Sequence, residues 1–328
     1  MSKRVKRLLI LLDLLLVIGL ILAIFFYQKR ADNRETVDAV QLERRYVQTI
    51  SHEGEDYPVR RYLSSLLLIG TDNFIDDAKQ NEIEAFYNDN LADFLVLLVF
   101  DHSRKTVTPV QICRDTMCEV PWLSVNGKVG GTVFEQITLS HSFGTGKEDS
   151  CVNTRNTVSS LLYDIPIDNY LSFTMETVPL LNDLVGGVTV TLEDDIPALG
   201  PEYVKGATIT LKGNNALRFV RSRDISQVDS NLARMGHHRL YLSAFTLAAR
   251  EALGGDPDFA EKAFKAAEKF LCTDLSVENM SDIANELCEY EILPVLTPSG
   301  EYVMGEEFAE YYMDDASLWE CVKTAFCD

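Results

Sequence analysis

The sequence predicts an α/β protein: a layered domain with a central mixed β-sheet flanked by helices, preceded by one N-terminal transmembrane helix. Three observations lead there. Short apolar runs closed by turn residues stand at 65–70, 94–100 and 106–112, too short for helices and suited to buried strands. Stretches with helical spacing are interleaved with and follow them, at 152–163, 174–184, 213–220 and 234–253. An apolar run at 8–27, carrying the single charge Asp13, comes before all of these.

Each element has a local reason. Lys3, Arg4, Lys6 and Arg7 precede the apolar run, whose twenty residues at ~1.5 Å each span the ~30 Å of a bilayer core. The basic flank belongs in the cytoplasm, which puts the body outside. Asp13 lies near the cytoplasmic end, where snorkelling limits its cost. Phe25-Phe26-Tyr27-Gln28-Lys29-Arg30 offers no small-residue cleavage site, so the run reads as an uncleaved signal anchor rather than a signal peptide. The expected layout is a cytoplasmic tail 1–7, an anchor 8–27, a partly helical stalk 28–64, a globular domain 65–255 and an acidic helical C-terminal extension 256–328. Within the domain, the loop Asp101-His102-Ser103-Arg104-Lys105 makes the strands at 94–100 and 106–112 an antiparallel hairpin. Gly186-Gly187 turns into a strand at 188–192. The helix at 234–253 sets Leu240, Ala244, Leu247 and Ala248 on one face.

Charge narrows the function. The chain carries −20, yet residues 1–30 hold six Lys/Arg against one acid, so the rest is more acidic still. Such a body is no nonspecific nucleic-acid binder, which needs a basic face. The seven cysteines show no CxxC and no zinc spacing. Outside the cell some would form disulfides, the odd count leaving one without an internal partner; buried reduced thiols are the alternative.

Against this acidic background Arg221, Arg223 and Arg234 stand within fourteen residues. A single arginine ordinarily pairs with surface carboxylates. A cluster points to phosphate, which a planar guanidinium grips with paired donors. Asp72 follows the first strand, Asp93 precedes the second, and Arg114-Asp115 follow the third. The hairpin brings Asp93 and Arg114 to one end of the sheet, and a first strand parallel to the third would bring Asp72 there too. Each acid alone is an ordinary turn or cap residue. Together, two carboxylates beside a phosphate-gripping arginine fit a hard cation, Mg²⁺.

These residues resemble a family. The blocks are Leu67-Leu68-Ile69-Gly70-Thr71-Asp72, Asp93, Ile112-Cys113-Arg114-Asp115-Thr116, Ile165-Pro166-Ile167-Asp168-Asn169-Tyr170, Leu184-Val185-Gly186-Gly187-Val188-Thr189-Val190 and the run from Leu211 to Arg223, with Arg234 beyond. In this order, across about 65–245, they are similar to the LytR-CpsA-Psr family of cell-wall phosphotransferases. The resemblance implies a membrane-anchored, extracytoplasmic protein that moves a glycopolymer from a polyprenyl-pyrophosphate carrier to peptidoglycan with Mg²⁺. It implies catalytic roles for Asp93, Arg114, Arg221 and Arg223, pyrophosphate binding by Arg114, Arg221, Arg223 and Arg234, and metal binding by Asp72 and Asp93. His238, standing with His237 where the family shows Arg-Gln, is a candidate substitute phosphate donor or a helix-surface residue. An apolar groove for the polyprenyl chain is expected between the sheet and the helices at 152–163 and 174–184. Its candidate wall residues are Leu161, Leu162, Leu180, Leu181 and Leu184, each of which also fits ordinary core packing.

The sequence departs from the family pattern in places. Leu91 stands for an arginine, Phe94 for a threonine, Cys113 for a proline and Asn231 for an aspartate. Two other functions stay open, the first of them favoured by the loss of an arginine at Leu91. One is a non-catalytic scaffold or regulator that binds polyprenyl-phosphate lipid or wall polymer. The other is a metal-dependent hydrolase of pyrophosphate lipids.

Overall fold

The structure, a computed structural model, describes residues 49–72, 88–124, 127–224, 226–256, 258–306 and 308–328. The expected anchor at 8–27 and most of the expected stalk lie outside the described residues. Among the described residues no helix is long and apolar enough to cross a membrane.

The described chain opens with a short hairpin, β1 (Thr49–His52) and β2 (Glu55–Pro58), turned at Glu53 and Gly54, both with positive φ. β3 (Leu63–Thr71), β4 (Phe94–Asp101) and β5 (Thr106–Ile112) follow, each antiparallel to the one before. β6 (Met117–Leu123) and β7 (Val129–Gln136) form a separate hairpin. Helix α1 (Glu148–Leu161) leads to β8 (Asn169–Thr174), which lies parallel to β3. Next come α2 (Thr177–Leu184), the ribbon of β9 (Val188–Thr191) and β10 (Thr208–Leu211), α3 (Asn214–Arg221) and the long α4 (Ser230–Gly255). The C-terminal part holds α5 (Phe259–Ala267), β11 (Leu271–Thr273), α6 (Val277–Glu289) and β12 (Glu291–Ile292). The hairpin β13 (Gly300–Met304) and β14 (Ala309–Met313) and the helix α7 (Asp315–Phe326) complete it. The central mixed sheet has six strands in the order β11-β8-β3-β4-β5-β12.

Alternation along the strands serves two apolar layers. Leu67, Ile69, Leu95, Leu97, Val110 and Ile112 face one way, into a core closed by α1 and α7 through Val158, Leu162, Leu318, Trp319 and Phe326. Leu66, Leu68, Val96, Leu98, Phe100 and Val107 face the other way, toward Leu242 of α4 and Met280, Ile283 and Leu287 of α6. Pro109 is tolerated inside β5 because its carbonyl accepts from the Leu296 N–H on the β12 side, where its own missing N–H also points.

Three expectations are corrected. The helix expected at 174–184 starts at Thr177, because 169–174 alternates half-buried and buried positions as a strand does. The described end of the stalk belongs to the domain: Ile50 is in the core, and His52 stacks on Trp319 with ring centroids 4.3 Å apart. Arg60 ties that segment to Asp101 at 2.8 Å and to the Ala325 carbonyl at 2.6 Å. The C-terminal extension is not helical throughout, since it supplies both edge strands of the main sheet and a hairpin. Pro294 and Pro298 interrupt it, and Tyr302, Val303, Tyr311 and Tyr312 favour extended backbone.

Candidate functional site

The register places the expected acids and arginines at one end of the sheet. Gly70 pairs with Phe94 and Leu95 with Ile112, so the end of β3, the start of β4 and the end of β5 meet. Both β3 and β5 run antiparallel to β4, hence parallel to each other, and Asp72 joins Asp93 and Arg114 there. Gly70 is required by close approach: a Cβ on it would lie 2.8 Å from that of Phe94. The Asp93 N–H donates to the Gly70 carbonyl at 2.8 Å. Arg114 donates from Nη1 to Asp93 Oδ1 and from Nε to Asp115 Oδ1 at 3.0 Å, so two carboxylates fix its plane.

The other arginines arrive on α3 and α4. Gly213, with φ +52°, turns the chain from β10 into α3, and its N–H is held by Asp183 at 2.7 Å. Arg221 ends α3, where a cation suits the helix dipole. Arg234, in the second turn of α4, is only 7% exposed. Its Nε and Nη2 donate to Asn231 Oδ1 at 3.0 and 2.7 Å, so Asn231 does what an aspartate would do without adding charge. Burial, and then the charges of Arg114 and Arg223, push the Arg234 pKa down to about 10, so it stays cationic at neutral pH. Arg114 and Arg223 are each therefore within electrostatic reach of Arg234. Arg221 shares a cavity of about 110 Å³ with Asp93, Thr71, Arg234 and His238. Among the described residues, Arg221 and Arg223 make no hydrogen bond or ion pair, and both are exposed. Cations gathered this way, with only part of their charge offset, favour an anion between them.

His238 is brought to the site but not as a donor. Its Nε2–H is committed to the Val220 carbonyl at 2.9 Å, and Phe94 meets the ring edge-on. Burial and the charge of Arg234 push its pKa down to about 3, so the ring stands neutral at the cavity wall.

Beneath this mouth lies an apolar cavity of about 1060 Å³. Phe94, Phe173, Val178, Tyr241 and Leu242 line both spaces, so the two adjoin across these side chains. The cavity is walled by the Leu68, Val96, Leu98 and Leu171 face of the sheet and by α4, α5 and α6. Of the five expected wall residues only Leu181 lines it. Leu161 and Leu162 pack into the core on the opposite face, Leu180 is half-buried elsewhere and Leu184 is exposed. The helix at 148–161 covers the wrong side of the sheet for the groove.

Sequence reading passed over several groups that the geometry brings in. Asp115 is buried and accepts from Arg114, from Gln136 at 3.5 Å and from the Tyr302 hydroxyl at 2.9 Å. Inside the apolar cavity Arg239 donates to Gln111 Oε1 at 2.9 Å. The signal for Asp115 was its place beside Arg114; nothing local marks Tyr302. No group of three or more metal-ligating side chains is gathered among the described residues. Mg²⁺ characteristically takes one or two carboxylates, with phosphate and water supplying the rest. Asp72 and Asp93 at one strand end fit that donor count.

The fold and site define a class: an α/β domain with clustered arginines at one end of its sheet, beside a large apolar cavity. The chain belongs to the LytR_cpsA_psr family, whose sequence profile matches residues 23–323. That match runs past the blocks at 65–245 into the C-terminal part. The polyisoprenyl-teichoic acid–peptidoglycan teichoic acid transferase TagU of Bacillus licheniformis is 27% identical over 192 residues, 58% of this chain and 57% of that protein. The protein of the same name from Bacillus subtilis is 24% identical over 292 residues, 87% of this chain and 84% of its own length. The crystal structure of B. subtilis TagT superimposes with a TM-score of 0.59 at 22% identity, covering 85% of this chain and 95% of that one, which shows a shared fold.

Proposed function

We propose that the chain is a membrane-anchored, extracytoplasmic phosphotransferase that moves a glycopolymer from a polyprenyl-pyrophosphate carrier to peptidoglycan. The observation that carries this reading is the adjacency of the arginine mouth and the apolar cavity, which share Phe94, Phe173, Val178, Tyr241 and Leu242 as lining. A polyprenyl chain transfers ~0.8 kcal/mol per CH₂ from water into such a space, while its head stays at the mouth. The names of the TagU relatives describe the same kind of transfer. The apolar run at 8–27 with its basic flank supports the anchor and the outward-facing body.

In this reading Arg221, Arg223 and Arg234 grip the pyrophosphate and stabilise charge on the leaving polyprenyl phosphate in place, without reorganisation. Arg114 is held by Asp93 and Asp115 with donors left for the phosphoryl group. In this reading Asp93 also takes the proton of the acceptor hydroxyl. Asp72 and Asp93 would hold Mg²⁺, which when bound neutralises the pyrophosphate. His238 serves as wall rather than donor.

A second reading, a non-catalytic lipid- or polymer-binding scaffold, is favoured by Leu91, which stands where the family resemblance implies an arginine. One experiment separates the readings: the full chain in detergent with a polyprenyl-pyrophosphate glycan and Mg²⁺, with and without acceptor glycan. Transfer requires polyprenyl phosphate to appear only with acceptor. Release without acceptor makes the protein a hydrolase. Binding without release makes it the scaffold, and no binding removes the lipid site.

A further inference from the structure

Arg114 and Arg234 come from segments 120 residues apart, yet one chain of hydrogen bonds, converging on Asp115, joins them. Arg234 donates to Asn231 Oδ1. Asn231 Nδ2 donates to Cys113 Sγ at 3.3 Å. The Cys113 thiol and the Tyr302 hydroxyl lie 3.2 Å apart, and the hydroxyl donates to Asp115 Oδ2 at 2.9 Å. Because the Tyr302 proton goes to the carboxylate, the thiol must donate to Tyr302. Asp115 Oδ1 then receives Arg114 Nε at 3.0 Å. The direction runs from Arg234 to Asp115, where Arg114 donates from the other side, and protonated links of this kind polarise one another. Burial holds both central groups in their protonated forms, pushing the Cys113 thiol up to about 11 and raising the Tyr302 hydroxyl as well.

Tyr302 is the only member from the C-terminal hairpin. Backbone contacts fix that hairpin against the site: the Tyr311 N–H donates to the Asp115 carbonyl at 2.9 Å, and Gln136 Nε2 to the Ala309 carbonyl at 2.7 Å. The Tyr302 and Tyr311 rings pack 4.9 Å apart, against Cys113 and Met235. Two other members, Cys113 and Asn231, are positions where the sequence departs from its family pattern. The three polar groups are matched: an aspartate at 231 would give Cys113 no donor, and a proline at 113 would give Tyr302 none.

We infer that Tyr302 is a positioning residue for the pyrophosphate site, holding Arg114 and Arg234 at a fixed separation through the Asn231–Cys113–Tyr302–Asp115 relay. This rests on the head-group reading proposed above. Tyr302 touches no substrate; it acts by orienting guanidiniums whose plane decides how well they meet phosphate oxygens.

The test measures binding of geranylgeranyl pyrophosphate and of geranylgeraniol to the full chain by calorimetry. The parent, Tyr302→Phe and, as a control on the same hairpin, Tyr311→Phe are compared. Tyr311 donates its hydroxyl only to the Pro298 carbonyl. Tyr302→Phe should weaken pyrophosphate binding roughly tenfold or more, as expected for a lost hydrogen bond to a charged group. Its affinity for the alcohol should be unchanged, and Tyr311→Phe should bind both like the parent. In an Asp115→Asn background, Tyr302→Phe should cost little further, because the two act in series. Equal pyrophosphate affinity for Tyr302→Phe and parent overturns the inference. So does an equal loss of pyrophosphate and alcohol binding, which would mark a merely structural role. A parent that binds the alcohol but not the pyrophosphate overturns the head-group reading, and this inference with it.

Discussion

Arg234 shows how much a single side chain carries here. Two of its nitrogens are spent on Asn231, yet the guanidinium still faces the cavity shared by Asp93 and Arg221. A lysine has one nitrogen and cannot both anchor to Asn231 and present a fork to phosphate. Arg234→Lys should therefore weaken pyrophosphate binding by roughly tenfold or more at equal charge. Arg218→Lys, on the exposed flank of α3, should bind like the parent, and calorimetry with inorganic pyrophosphate decides the matter. Part of this site was legible in the sequence. Asp93 and Arg114 could be joined because a hairpin relates the start of one strand to the end of the next. Arg221, Arg223 and Arg234 could be grouped because they are near in the chain. Tyr302 could not, because 187 residues separate it from Asp115 and its role depends on a hairpin docking that no local pattern encodes. The sequence leaves His238 open between phosphate donor and helix-surface residue for a related reason: its proton is claimed by Val220, a backbone group 18 residues away.

At the scale of elements, the sequence read the strands well and the layers poorly. The central strands β3 and β4 are apolar on both faces, so their composition cannot say which helix covers which side. The expected groove lay between the sheet and the helices at 152–163 and 174–184; Leu181 of the second lines the cavity, whose other helical walls are α4, α5 and α6. The two faces should respond oppositely to substitution. Leu162 is wholly buried in the filled face, so Leu162→Ala should destabilise the fold by about 2–5 kcal/mol. Lipid affinity should not change. Ala284, on α6, borders the empty face. A tryptophan there projects into open space rather than into packed neighbours, so Ala284→Trp should leave the unfolding midpoint near that of the parent. It should sharply reduce geranylgeranyl pyrophosphate binding while leaving inorganic pyrophosphate binding intact. Equal loss of both ligands would mean that the cavity is not where the chain sits.

For the molecule as a whole, an acidic chain of net charge −20 presents a cationic mouth, and several of its histidines are buried in neutral form. His141 is fully buried, and its Nδ1–H donates to the Asn90 carbonyl at 3.1 Å. Burial pushes its pKa down from 6.5 to about 4. His238 is pushed down to about 3 and His237 is lowered too, in both cases first by burial. The sign follows from proton counts. In the unfolded chain these rings take up protons near pH 6.5, whereas the folded chain accepts one on His141 only near pH 4. Between those values the unfolded state binds more protons, so stability falls as pH falls through this window and levels off only below the folded pKa values. His141 alone accounts for on the order of 3 kcal/mol over the full window. Asp101 adds the same trend at lower pH. Burial acts to raise its carboxyl, but the hydrogen bonds from Ser103 and Arg104 and the charge of Arg60 together hold it below its ordinary value. Its stabilisation is present above the unfolded carboxylate pKa and is lost as pH drops through the folded one. Urea unfolding from pH 7 down to pH 4 should show a steadily falling midpoint. In His141→Gln the starting midpoint should be lower, but the fall between pH 6.5 and pH 4.5 should be visibly shallower. A parent whose midpoint stays flat across that interval would show that these rings are not held neutral by the fold.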